Sequence, residues 1–167
     1  KAKTLLRNNP LSLLISAQIA RQVGDSKLVV DNYKKLLLEK DTKMVALSGI
    51  VSEKIKVGEY KAALELTKKS VQLNPKNINN INTLFNLQLL ETDWVGARKT
   101  LQEKKKHEKI SRKVFTRQEA ILIFAEAQKK RSEGFTKEAA RLALTAVRQH
   151  PSFVAALSFL AELEVKA

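Results

Sequence analysis

Cysteine is missing from this sequence altogether, which rules out a disulfide framework and any thiolate metal site. Only three prolines and five glycines occur in 167 residues; a chain so poor in helix breakers is neither loop-rich nor disordered and suits long helices. Aromatics make up 5 % of residues against 44 % hydrophobic, so the core must be built from Leu, Ala, Ile and Val. No apolar run approaches the roughly 18 residues that a spanning helix needs. Acidic groups are the minority: 17 Asp and Glu face 31 Lys and Arg, for a net charge of +14. That balance favours solubility and an anionic partner, although lysine far outnumbers arginine and much of the charge reads as a solvated surface.

Chemistry-bearing patterns are also scarce. The glycines at 24, 49, 58, 96 and 134 form neither a dinucleotide fingerprint nor a P-loop. His107 and His150 have no carboxylate or cysteine partner at ligand spacing. Serine and threonine occur without a nucleophile-elbow context, and the glutamates are scattered among lysines, as helix-face ion pairs would be. No catalytic residue, metal site or cofactor is therefore expected, and the chain reads as a non-enzyme.

What is present is periodicity. From Met44 to Asn77, apolar residues recur at helical spacing on both sides of Val57-Gly58-Glu59-Tyr60, which predicts two helices meeting at a tight turn. Such a pair cannot bury its apolar face alone. Taking Gly58 as the turn slot, the same slot falls on Gly24, Thr92 and Gly134, at intervals of 34, 34 and 42 residues. Five residues beyond each slot stand Val29, Ala63, Ala97 and Ala139, small enough for helices to cross closely. Seventeen beyond stand Asp41, Pro75, Lys109 and Pro151, so two of the four repeats close on a proline. A 34-residue helix–turn–helix period of this kind is the tetratricopeptide pattern.

The expected fold is an all-α, right-handed superhelical array of about four helix pairs plus a terminal helix, forming a single repeat domain over 1–167. The pairs are expected at 11–23 and 26–39, within 44–74, at 78–91 and 93–106 with Asp93 as N-cap, and at 117–132 and 136–149. Residues 1–9 read as the end of an earlier helix, so the chain is taken as part of a longer protein. The long interval places an eight-residue basic insertion within 102–117, expected to extend the flanking helices around an exposed turn near Lys109–Ser111. Residues 153–165 should cap the array, with Phe153, Leu157 and Leu160 packed on the fourth pair.

A repeat array offers a surface rather than a catalytic centre. Aligned on the repeats, the ninth position of each first helix holds Gln18, Ser52, Asn86 and Gln128, all neutral and polar. Asn79, Asn82 and Asn86 share one face of the third repeat, beside Ser48 and Ser52. Arg21, Lys56 and Arg131 follow a turn later. Amides flanked by cations suit an extended peptide or a C-terminal carboxylate in a concave groove. The alternative reading is binding of nucleic acid or anionic lipid through the basic stretch at 98–117. It is the weaker one, because Phe115 is the stretch's lone stacking aromatic.

Two segments carry more specific text: TLFNLQLLETDWVGARKTL from Thr83 to Leu101, and VALSGIVSEKIKVGEYKAALELTKKSVQLNP before it. With Leu84-Phe85-x-Leu87-Gln88-Leu89 and Asp93-Trp94-x-Gly96-Ala97 as its main anchors, the chain resembles the HemY family of proteobacterial tetratricopeptide proteins. The resemblance implies a scaffold linked to haem or tetrapyrrole biosynthesis, with biosynthetic enzymes among its partners. It also implies an inner-membrane anchor in a portion of the protein outside this sequence, and carries over no catalytic residue.

Overall fold

The structure, a computed structural model, describes residues 9–107 and 111–165. Residues 1–8 of the helix end expected over 1–9, and most of the turn expected near Lys109–Ser111, lie outside them. Among the described residues there are nine helices and no strand: α1 Pro10–Gln22, α2 Ser26–Leu36, α3 Lys43–Lys56, α4 Tyr60–Leu73, α5 Ile78–Leu90, α6 Trp94–His107, α7 Arg112–Ser132, α8 Thr136–Gln149 and α9 Val154–Val165. They are the four expected pairs and a terminal helix. The insertion lengthens only the helix after it: α7 begins at Arg112 and runs for 21 residues, whereas α6 has 14, the length of α4 and α8.

The turn slot is the same structure four times. Gly24, Gly58 and Gly134 take φ of 80°, 77° and 89°, and Thr92 takes 57°. At each, the slot amide donates to the carbonyl three residues back (Arg21, Ile55, Leu89, Arg131). The following amide donates to the carbonyl five back (Ala20, Lys54, Gln88, Lys130), at 2.8–2.9 Å. This closure satisfies carbonyls that the helix end would otherwise orphan, and it requires a left-handed residue at the slot. Glycine enters that region without a steric penalty; Thr92, with a branched Cβ, does not.

Starts are capped less regularly: those of α3, α4 and α8 have no side-chain cap, but others do. Asn9 Oδ1 accepts from the Leu11 amide at 2.9 Å, and Asn77 Oδ1 accepts from Asn79 and Asn80 at 3.1 and 3.2 Å. Asp25 and Asp93 accept from the third amide of α2 and α6, at 2.9 and 2.8 Å. These side chains occupy donors that a helix start leaves unpaired, each contributing about 1 kcal/mol.

The helices divide into two compact units between Leu87 and Gln88. In the first, α1 packs on α2, α2 on α3 and α3 on α4. Leu13, Ala17 and Ala20 meet Val29, Tyr33 and Leu36 in one core cluster, which Ala46 and Ile50 join from α3. A second cluster holds Ala63 and Leu64 of α4 against Leu84 and Leu87 of α5. In the second unit α6 packs on α7, α7 on α8 and α8 on α9. The four residues five beyond each slot, Val29, Ala63, Ala97 and Ala139, are all 0 % exposed. Tyr33 lies flat enough on α3 that a Cβ at Gly49 would stand 2.3–2.5 Å from its ring carbons.

Phe153 packs on the fourth pair as expected, but Phe159 and not Leu157 follows it inward. Ala156, Phe159 and Leu163 are buried while Leu157 is exposed; Phe153 and Phe159 set their rings edge-on to Phe124 at 5.1 and 5.4 Å. VAALSFLAELEV is apolar on nearly every side, so its periodicity cannot choose a face. The aromatic pairing does.

Candidate functional site

Within the first unit, α3, α4 and the start of α5 enclose a groove of about 390 Å³. Ser48 and Ser52, one turn apart, form the α3 wall with Val51 and Ile55 beneath them. Thr67 and Ser70 of α4 form the floor; both are buried, and their hydroxyls donate to Ala63 and Leu66 carbonyls of their own helix. Asn77, Asn79, Asn80 and Thr83 form the third wall. Among the described residues no charged side chain lines the groove. The Asn80 Nδ2 is buried and finds no acceptor among the described residues.

Three residues expected at the site, Ser48, Ser52 and Asn79, therefore come together here. Asn82 and Asn86 do not line the groove. Residues 79, 80 and 83, and not 82 or 86, line its α5 side. The amide of Asn77, which caps α5, fixes the first turn from which Asn79 and Asn80 project. Gln18 is exposed on α1, away from the groove's lining.

The expected flanking cations are otherwise engaged. Glu53 of α3, 1 % exposed, accepts a hydrogen bond from Ser26 of α2. Arg21 Nε and Lys56 Nζ each stand 3.6 Å from its carboxylate. The Ser26 hydrogen bond holds the Glu53 carboxyl below its ordinary range; burial opposes it, and Lys56 and Arg21 reinforce it. Arg21 and Lys56 thus neutralise a buried carboxylate of their own chain, and the groove beside them stays uncharged. No signal of composition or spacing marked Glu53, because a glutamate among lysines on a helix ordinarily faces solvent.

In the second unit Gln128 and Arg131 line a separate groove of about 560 Å³ between α7 and α9. Arg131 donates to Glu162 at 3.0 Å and lies over the Phe159 ring at 5.0 Å, so this cation too has an internal partner.

The basic stretch at 98–117 is less of a free cationic surface than its sequence suggests. Lys104 is 6 % exposed, because α6 continues past Leu101 and carries it inward. Lys105 lies over the buried ring of Phe115 at 4.4 Å, Lys106 pairs with Glu103 at 2.9 Å, and Arg98 pairs with Glu126 of α7. Phe115 is consequently covered and offers no open ring face for stacking. Among the described residues no cluster of His, Asp or Glu could hold a metal ion, and no helix is long and apolar enough to cross a membrane.

The all-helical fold has counterparts in solved structures. MamA matches over 94 % of this chain and 81 % of its own, with a TM-score of 0.61 and 16 % identity. PilF of Pseudomonas aeruginosa matches over 93 % and 67 %, with a TM-score of 0.55 and 14 % identity. The fold is the tetratricopeptide type. At these identities the likeness concerns fold alone. The sequence matches no protein-family model and no curated protein.

The residues on which the resemblance to the HemY family rests are chiefly packing residues. Leu84, Phe85, Leu87, Gln88 and Ala97 are buried, and Asp93 caps α6. They serve a repeat's interior, and a likeness at such positions reports how the repeat is built.

Proposed function

We propose that this chain is a non-catalytic scaffold that holds an extended segment of a partner protein. The observation that carries this reading is the uncharged groove between α3, α4 and α5, in which hydroxyls and amides from three helices converge on a small volume. Extended segments need main-chain donors and acceptors met along their length, and such a lining supplies both. Ser48, Ser52 and Asn79 are assigned to that groove. Gln128 and Arg131 are assigned to the second groove as a further contact, with Gln18, Arg21, Lys56, Asn82 and Asn86 as surface contacts outside either. The tetratricopeptide fold that this chain shares with MamA and PilF supports a scaffold over an enzyme.

The finer reading places this scaffold with haem or tetrapyrrole biosynthesis at a bacterial inner membrane, reached through parts of the protein outside this sequence. It is supported by the resemblance at Leu84–Leu89 and Asp93–Ala97. Partners on this reading are enzymes of that pathway.

Affinity capture from the detergent-solubilised membranes of the source cells tests both levels, with Ser52→Arg and Asn79→Arg as groove-blocked variants. Both positions are exposed, so the fold should survive. The proposal expects a captured protein that both variants lose; capture indifferent to both changes would refute the groove, and a partner unrelated to tetrapyrroles would refute the pathway.

A further inference from the structure

The outer side of α1 is apolar and open. Leu11, Ile15, Ile19 and Val23 follow one another at four-residue steps and form a single ridge along the helix. Each is more than half exposed, and Leu28 of α2 stands near them at 43 %. A trough of about 370 Å³ lies beside the ridge, lined by Ile15, Ile19, Val23 and Leu28 with Ser12 and Ser16. Single exposed aliphatics are ordinary on a protein surface. Five together are not: they leave on the order of 500 Å² of apolar surface open, the size at which a patch commonly marks an interaction site.

Charge and area together point to the occupant. The chain carries +14, so two copies repel each other over most approaches. Along α1 that repulsion is least. Of its 13 residues only Arg21 is ionised, and Arg21 is engaged by Glu53 and lies over the Tyr33 ring. Among the described residues no charged side chain lines the trough. A partner chosen for its acidity would be drawn to the lysine-rich surfaces instead, whereas a like-charged copy meets least opposition here. Two such faces pressed together remove about 1,000 Å² from water, the lower bound for a specific interface, before a rim of Gln18 and Gln22 is counted.

We infer that the α1 face, Leu11, Ile15, Ile19 and Val23 with Leu28, is where two copies of this chain pair. The contact is two-fold, the commonest symmetry of homo-oligomers, and the ridge of each copy seats in the trough of the other. Ile15 and Ile19, at the middle of the ridge, lie nearest the axis. A dimer joined at α1 carries two copies of the α3–α4–α5 groove, so a partner that presents two segments is held by both at once, with a gain in avidity. The pairing itself does not depend on what that groove binds.

Sedimentation equilibrium of the full 167-residue chain tests the pairing. Concentrations between about 1 and 200 μM suit an interface of this size. The wild type should rise with concentration towards twice the monomer mass, and added salt should not reverse the rise, since no ion pair holds the contact. Ile15→Lys combined with Ile19→Lys should stay monomeric throughout, with an unchanged helical spectrum because both positions are exposed. Should that variant fold poorly, single cysteines read the same contact in a chain that has none of its own. A short bismaleimide should then join copies carrying Ile19→Cys and leave apart copies carrying Glu65→Cys, on the exposed side of α4. A wild type that remains monomeric at the highest concentration would overturn the inference and leave the face to a segment of its own chain or to a helix of another protein. A dimer that survives both lysines, or that cross-links as readily at position 65 as at 19, would overturn it too.

Discussion

The hydroxyl of Ser26 donates to the carboxylate of Glu53, 27 residues away, and joins the second helix of one repeat to the first helix of the next. Glu53 occupies a position where the following repeat places Leu87, packed against Ala63 and Leu64. One repeat junction is thus polar where the next is apolar. Because Arg21 and Lys56 close on the same carboxylate, removing Glu53 leaves Arg21 partly buried without its partner.

Glu53→Ala should cost about 3–5 kcal/mol, the range for breaking a buried pair from one side, and Ser26→Ala about 1.5–3 kcal/mol. The pH dependence has a definite sign. The folded carboxyl titrates below its ordinary value, so its contribution is fully present above the unfolded value of about 4.3 and is lost as pH falls through the lowered folded value. Urea melts of wild type and Glu53→Gln at stepped pH should differ most near neutrality and converge below about pH 4. A constant gap across that window would mean that the carboxylate's charge is not what stabilises the junction.

Thr92 is the slot residue with the wrong side chain. Its φ of 57° is one that a β-branched residue adopts at a cost of about 1–2 kcal/mol. Thr92→Gly should therefore raise stability by about 1 kcal/mol, and Gly58→Thr should lower it by a similar amount. Paired chemical melts measure both, and a destabilised Thr92→Gly would contradict the equivalence of the four turns.

Ala63 and Ala97, expected where helices cross, have no exposed surface. Enlarging either to Leu should cost roughly 1–3 kcal/mol by overpacking. A neutral denaturation midpoint at both positions would count against the repeat register.

The helix order was open to reading because it rests on local chemistry repeated at a fixed interval: the left-handed slot, the small residue five beyond it, and the caps at Asp93 and Asn77. Even Thr92, which looks nothing like glycine, was placed correctly by spacing alone. The groove was only half open to reading. Ser48, Ser52 and Asn79 follow from helix phase, but the choice between Asn80 with Thr83 and Asn82 with Asn86 depends on how α5 rotates against α4. A helix carrying Asn at 79, 80, 82 and 86 has no polar periodicity to fix that rotation. Glu53 and Lys104 were hidden for another reason: a charged side chain is buried only when tertiary partners form around it, and those partners lie on other helices. The face of α9 escaped because an all-apolar helix has no amphipathic phase.

The central claim is that the groove between α3, α4 and α5 holds a partner protein. Its most direct test is photo-cross-linking in the source cells, with a benzophenone amino acid placed at Ser52 on the groove wall or at exposed Glu65 on α4. The account predicts one discrete cross-linked protein from position 52, none of it from position 65, and its loss when Asn79→Arg is added. No adduct from position 52, or the same adduct from position 65, would contradict it.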